Sequence, residues 1–273
     1  MNEQEIKNYL YELFTEEIFE SLKKEFTILI SSDEDTNPNP ILIHRATNLE
    51  FSYIPSGEFI MGFSEQEENF AKNIYDPIPA NLDEMRPVHR VKIKSFLISR
   101  YPILCGFASQ FCDLDDQENI SPFFPAFLTR AEAEYLENET KLRLPYEEEW
   151  EYCCRAGTKT LFIFGNNLIE EKILEKWLAF DFSDVTQLIP NPFGLYGMFV
   201  GEWCKDEYRL NYNHNAQIKK GNYVIRGGGA IFWPWQDQEW VWCMSAMRMS
   251  SENLLEDGRC GLRLVYELDN SCS

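Results

Sequence analysis

After residue 48 no stretch of this chain keeps one periodicity for long. Short β-like runs such as Phe51-Ser52-Tyr53-Ile54 and Val88-His89-Arg90-Val91-Lys92-Ile93 alternate with turns. Two helical stretches interrupt them. One spans roughly 129–139, with Thr129 as its capping residue; the other spans roughly 146–156 and stops before Gly157, a good helix terminator. Beyond residue 190 the chain is mostly turns, aromatics and glycine. There is no internal repeat and no low-complexity segment. This texture predicts an α+β domain with little regular secondary structure.

The N-terminal part reads differently. Ile6, Leu10, Leu13, Phe14, Ile18 and Leu22 recur at helical spacing between Glu and Lys, predicting a helix over 3–27. Its tail, Phe26-Thr27-Ile28-Leu29-Ile30, turns β-like, and Ser31 to Pro40 is a polar, Pro-containing linker. The expected division is a helical appendage and linker over 1–45 and one domain over 46–273. The helix either packs on that domain or docks a partner.

Charge narrows the function. Among 273 residues, 25 Lys and Arg face 45 Asp and Glu, a net charge of −20. Nucleic-acid binding needs Lys and Arg to displace counterions from phosphates, so nucleic acid is excluded as a partner. Anionic membranes are disfavoured for the same reason, and no apolar run approaches the ~18 residues of a membrane helix. The first residues lack the basic and apolar regions of a signal peptide, so a cytoplasmic location is expected. Eight cysteines form no CxxC pair, which excludes a paired-motif zinc site and fits reduced thiols. His44, His89 and His214 lie too far apart in sequence to share a helix face.

Six blocks, in order, resemble the formylglycine-generating enzyme or sulfatase-modifying-factor family. They are Ile54-Pro55-Ser56-Gly57-Glu58-Phe59-Ile60-Met61-Gly62; Glu84-Met85-Arg86-Pro87-Val88-His89-Arg90-Val91; Leu142-Arg143-Leu144-Pro145-Tyr146-Glu147-Glu148-Glu149-Trp150-Glu151-Tyr152; Asn191-Pro192-Phe193-Gly194-Leu195-Tyr196-Gly197-Met198 with Glu202-Trp203-Cys204; Val224-Ile225-Arg226-Gly227-Gly228-Gly229; and Ser245-Ala246-Met247-Arg248, closing with Gly261-Leu262-Arg263. They cover about residues 50–266. The resemblance implies a C-type-lectin-like fold of the sulfatase-modifying-factor type.

In the third block, Trp150, Cys153, Cys154 and Gly157 share helical spacing and read as one buried face, with the cysteines as small core residues. Tyr146 stands where the family has a capping Thr, a loss of about 1 kcal/mol. The Glu147-Glu148-Glu149 run reads as a solvated first turn favoured by the helix dipole.

The resemblance also implies chemistry, and the sequence departs from it. Family oxidases bind copper through two cysteines five residues apart, the second followed by "AAR". Anchored on Arg248, those positions hold Trp240 and Ser245. Neither is a soft ligand for Cu(I), so copper is not expected. Cys243, Cys260 and Arg248 are the remaining catalytic candidates. The family's structural calcium loop is two residues shorter here, which weakens that site. Asp181, Asp184, Asn191 and Asp206 are candidate oxygen ligands for calcium. Phe232, Trp233, Trp235, Trp240 and Trp242 crowd beside the Gly227-Gly228-Gly229 turn and read either as core or as a ligand-binding face. The expected function is a non-catalytic module that binds a protein or peptide. The alternative is a copper- or iron-dependent oxidoreductase acting on a peptide or small molecule.

Overall fold

In a computed structural model of the chain, the structure describes residues 13–29, 40–114, 121–163, 165–166, 184–228, 239–254 and 258–268. The helices among these are α1 (Glu16–Glu25), α2 (Glu65–Ala71), the single turn α3 (Cys105–Ala108), α4 (Arg130–Thr140) and α5 (Glu147–Arg155). The strands are β1 (Phe26–Leu29), β2 (Ile41–His44), β3 (Glu50–Ile54), β4 (Gly57–Met61), β5 (His89–Ile93), β6 (Phe96–Ser99), β7 (Glu202–Arg209), β8 (Ile218–Arg226), β9 (Arg248–Ser250) and β10 (Val265–Glu267). Helices are few and strands short, as the broken periodicity predicts.

The strands form three antiparallel sheets: β1-β2-β3-β6-β10, the hairpin β4-β5, and β7-β8-β9. In the largest, Phe51 of β3 lies opposite Ser99 of β6, and Val265 of β10 opposite Ile98. One apolar cluster lies under this sheet and reaches α4, joining Leu42, Phe51, Leu97, Leu136 and Leu262. A second surrounds α5 through Trp150, Cys153 and Cys154. A third gathers Phe63, Phe162, Phe199, Val241, Cys243 and Met244.

The expected helix over 3–27 is described only from residue 13, and its regular part ends at Glu25. The change to β-like residues at Phe26 marks the start of β1, as expected. Thr15 caps α1, and its buried side chains Phe19 and Leu22 join the first cluster. The boundary drawn at residues 45 and 46 falls in the turn between β2 and β3, which pair with each other. The linker over 31–40 lies outside the described residues, apart from Pro40.

Helix α4 begins where expected. Thr129 accepts the N–H of Glu132, and Glu132 accepts that of Thr129 at 2.7 Å, two otherwise orphaned donors satisfied reciprocally. Helix α5 lacks a side-chain cap bond from Tyr146, consistent with the absent Thr hydroxyl. Glu149 instead accepts the Tyr146 N–H at 2.8 Å. Trp150, Cys153 and Cys154 are buried as expected, but Gly157 is exposed. It lies beyond the helix end, because Ala156 already takes the left-handed conformation.

Candidate functional site

Helix α5 places Glu147, Glu151 and Arg155 one turn apart on one face. That face meets α2, β8 and β9, and a continuous chain of opposite charges runs across the contact. Glu67 of α2 pairs with Arg155 at 2.9 Å, and Arg155 with Glu151 at 2.9 Å. Glu151 pairs with Arg226 of β8 at 2.6 Å, and Arg226 with Glu147 at 3.0 Å. Glu147 then holds Arg248 of β9 by two bonds, at 2.6 and 2.8 Å. Every one of these side chains is buried. The reading of Glu147-Glu148-Glu149 as a solvated turn holds for the exposed Glu148 and is corrected for its two neighbours. Glu147 is buried between two guanidinium groups, and Glu149 takes a bidentate pair from Arg143 at 2.7 Å each.

The neighbours supply much of the hydrogen bonding that buried charges require, with Arg226 Nε left without a partner among the described residues. Tyr212 donates its hydroxyl proton to Glu147 at 3.1 Å and accepts from Arg226 at 3.2 Å. Arg248 lies against the rings of Tyr208 and Tyr212, 4.4 and 4.8 Å from their centroids. It also donates to the Arg209 carbonyl at 2.6 Å. Burial pushes the Glu151 carboxyl up, but Arg155, Arg226 and the Gly62 N–H outweigh it and hold the group below the usual carboxylate range. Both Glu151 oxygens are engaged, so the carboxylate is not free to accept a substrate proton. A second buried pair, Glu202 and Arg263 at 3.0 Å, sits under Trp150, whose indole N–H donates to Glu202 at 2.7 Å.

The region of the expected catalytic pair lies against this network. Ser245 is fully buried; its N–H donates to the Leu161 carbonyl at 2.6 Å and its own carbonyl accepts Arg226 at 2.7 Å. Its hydroxyl neighbours Cys154, whose thiol burial pushes up to about 11. Cys243 is 3% exposed, and its sulfur points at the Phe199 carbonyl, 3.8 Å away. It sits in a short 3-10 turn, Glu239–Cys243. Cys260 belongs to a different cluster and pairs its backbone with Leu128. Neither is joined in a disulfide. Arg248, the third candidate, is spent on Glu147. The residues present do not fit a soft copper centre: Ser245 offers no thiolate, and Cys243 faces a carbonyl within a packed interior.

The calcium candidates are likewise occupied. The Asn191 side-chain oxygen accepts the N–H groups of Phe193 and Leu195 at 3.0 and 3.1 Å, while its amide donates to the Cys153 carbonyl at 2.7 Å. Asp184 caps a turn through Thr186 N–H at 2.9 Å. Asp206 accepts the Glu147 N–H at 2.6 Å. Asp181 lies outside the described residues. Among the described residues no group of three or more metal-binding side chains converges.

Of the aromatic candidates, Trp242 is half-buried between the first and third clusters. Phe232, Trp233 and Trp235 lie outside the described residues, as does the Trp240 side chain. Gly227, at their edge, has φ +87°, and a Cβ there would stand 2.5 Å from the Val200 carbonyl and 2.8 Å from Trp150. Only glycine fits that approach. Sequence reasoning missed the charge chain, although its signal was present: Glu147, Glu151 and Arg155 are spaced four apart on a helix whose other face is apolar.

Comparison with known proteins agrees with this architecture. A family model described as "Sulfatase-modifying factor enzyme 1-like domain" matches residues 108–268, more than half of the chain. The serine/threonine-protein kinase pkn1 of Chlamydia pneumoniae is 28% identical over 234 residues, which is 71% of this chain and 34% of that protein. The chain thus spans about a third of that relative's length. Among solved structures, PvdO from Pseudomonas aeruginosa superposes with a TM-score of 0.62 at 22% identity, over 85% of this chain and all of that one. Treponema denticola variable protein 1 superposes with a TM-score of 0.51 at 16% identity, over 80% of this chain and 95% of the other.

Proposed function

This chain belongs to the sulfatase-modifying factor enzyme 1-like domain family, and from that membership we propose that it is a non-catalytic recognition module of the family's lectin-like type. It binds a protein or peptide, with the aromatic segment of Phe232, Trp233, Trp235, Trp240 and Trp242 as its contact face. The observation that carries the reading is the state of Ser245: the position of a metal-binding cysteine is filled by a serine with no solvent access, whose backbone N–H and carbonyl are fixed by Leu161 and Arg226. Its scaffold is kept intact by internal ion pairs, which leaves recognition as the role a folded surface still performs.

The charge of −20 argues against nucleic acid and anionic membranes, and no described helix is long and apolar enough to cross a membrane. Seven described cysteines outside any disulfide suit a reducing compartment, and the cytoplasm is the proposed location. The match to a third of a longer relative is in keeping with a module that also occurs as part of larger chains.

The test is copper titration under anaerobic and aerobic conditions, with oxygen uptake measured against cysteine-containing peptides. We expect no stoichiometric thiolate-bound copper and no uptake. Stoichiometric Cu(I) with thiolate ligation, lost in Cys243→Ala, overturns the reading in favour of an oxidoreductase.

A further inference from the structure

A cavity of ≈ 460 Å³ opens between β5 and the first turn of α5, away from the buried charge chain. This is within the size range of small-ligand sites, about 300–1,000 Å³. Its two walls carry opposite charge. On the strand side, Lys92 of β5 and Lys94, just past its end, both line the pocket and both are exposed. On the helix side stands Glu148. Arg143 shares this wall, but it is committed to Glu149 and to Glu267, at 2.7 Å each.

Lys92, Lys94 and Glu148 have no ion-pair partner among the described residues, although the sequence is rich in opposite charges and many other lysines and arginines are paired. The strand neighbour of Lys92, Glu58, is taken by Arg90. Glu148 has the reverse problem. Burial, then the carboxylates of Asp206, Glu149 and Glu147, push its pKa up. Two exposed cations and one exposed anion thus line one open pocket without pairing with one another. Ile93, Phe96 and Leu268 supply the apolar part of the lining.

We infer that this cavity binds a dipeptide-sized ligand carrying one ammonium and two carboxylates, the ammonium on Glu148 and the carboxylates on Lys92 and Lys94. The unpaired wall charges, two positive and one negative, are complemented by such a ligand. A ligand with carboxylates alone leaves Glu148 without a partner, and a simple amine leaves both lysines so. None of the described lining residues belongs to the tryptophan segment, so the test below does not rest on the proposed contact face.

Calorimetric titration of the full chain with the dipeptide Ala-Glu tests this, with N-acetyl-Ala-Glu and Ala-Gln amide as paired probes. Saturable binding of Ala-Glu is expected, weakened at least about tenfold by acetylation, by amidation of both carboxyls, and by the double variant Lys92→Ala/Lys94→Ala. Glu148→Gln is expected to weaken Ala-Glu while leaving N-acetyl-Ala-Glu unchanged, a readout that misfolding would not produce. The three positions are not in the core, and circular dichroism verifies that each variant folds. Equal affinity for the acetylated and free peptides, unchanged binding in the double lysine variant, or no saturation up to about 10 mM overturns the inference.

Discussion

At the scale of single residues, Arg226 is the pivot of the molecule. It has no solvent exposure in its side chain and holds two carboxylates from one helix, Glu147 and Glu151. Removing one partner of a buried pair leaves the other charge uncompensated, which typically costs about 3–5 kcal/mol. Arg226→Met is expected to lose that much in chemical denaturation, and Glu151→Gln in the same background is expected to restore part of it. Asp206 gives a pH signature. Burial, partly offset by the Glu147 N–H, pushes its carboxyl from 3.8 up to about 6. In the unfolded chain it ionises near its ordinary value, so between about pH 4 and pH 6 the unfolded state binds fewer protons than the native one. Stability therefore falls as pH rises through this window, by about 3 kcal/mol, and the loss is complete above it. Asp206→Asn, which keeps an acceptor for the Glu147 N–H, is expected to flatten that slope in urea titrations run from pH 4 to 7. The cysteine vacancy at Ser245 was legible from sequence alone, because it needs only a register anchored on Arg248. The burial of Glu147 was not: the dipole argument that favours an acidic first turn holds equally for a solvated and a buried glutamate.

At the scale of elements, local rules performed well where the cause is local. The Thr129–Glu132 cap and the glycine beyond α5 are written in neighbouring residues, and both helices form within a residue or two of their expected bounds. Thr129→Ala is expected to cost about 1 kcal/mol, read as a lower denaturation midpoint with unchanged slope. Pairing partners were not legible in the same way. Nothing near Ile41 says that it will lie opposite Ser52 in a sheet completed by β6 and β10. The residues that a polar, Pro-containing stretch sets apart in sequence are joined again in space, since β1 and β2 extend that sheet. The fourth block shows the same limit. Asn191 invites a calcium reading by its chemistry, while its oxygen closes a turn on Phe193 and Leu195.

At the scale of the whole molecule, a family scaffold survives with its interior charges and thiols locked away. Cys105, Cys153, Cys154, Cys204, Cys243 and Cys260 are all buried and outside any disulfide. Burial pushes Cys105 to about 11, so the reactive thiolate is scarce at neutral pH. In a Cys112→Ser/Cys272→Ser variant, a disulfide-exchange reagent is expected to label fewer than one thiol per chain under native conditions, and all six on unfolding. Rapid native labelling at Cys243 would mean that this part of the interior opens. The largest sheet carries a further implication. Its outer strands, β1 and β10, come from opposite ends of the described chain, and β6 sits beside β10. A nascent polypeptide therefore leaves one edge of β6 unpaired until Val265–Glu267 have emerged from the ribosome, and a product stalled before them would present that bare edge to whatever chain lies nearby.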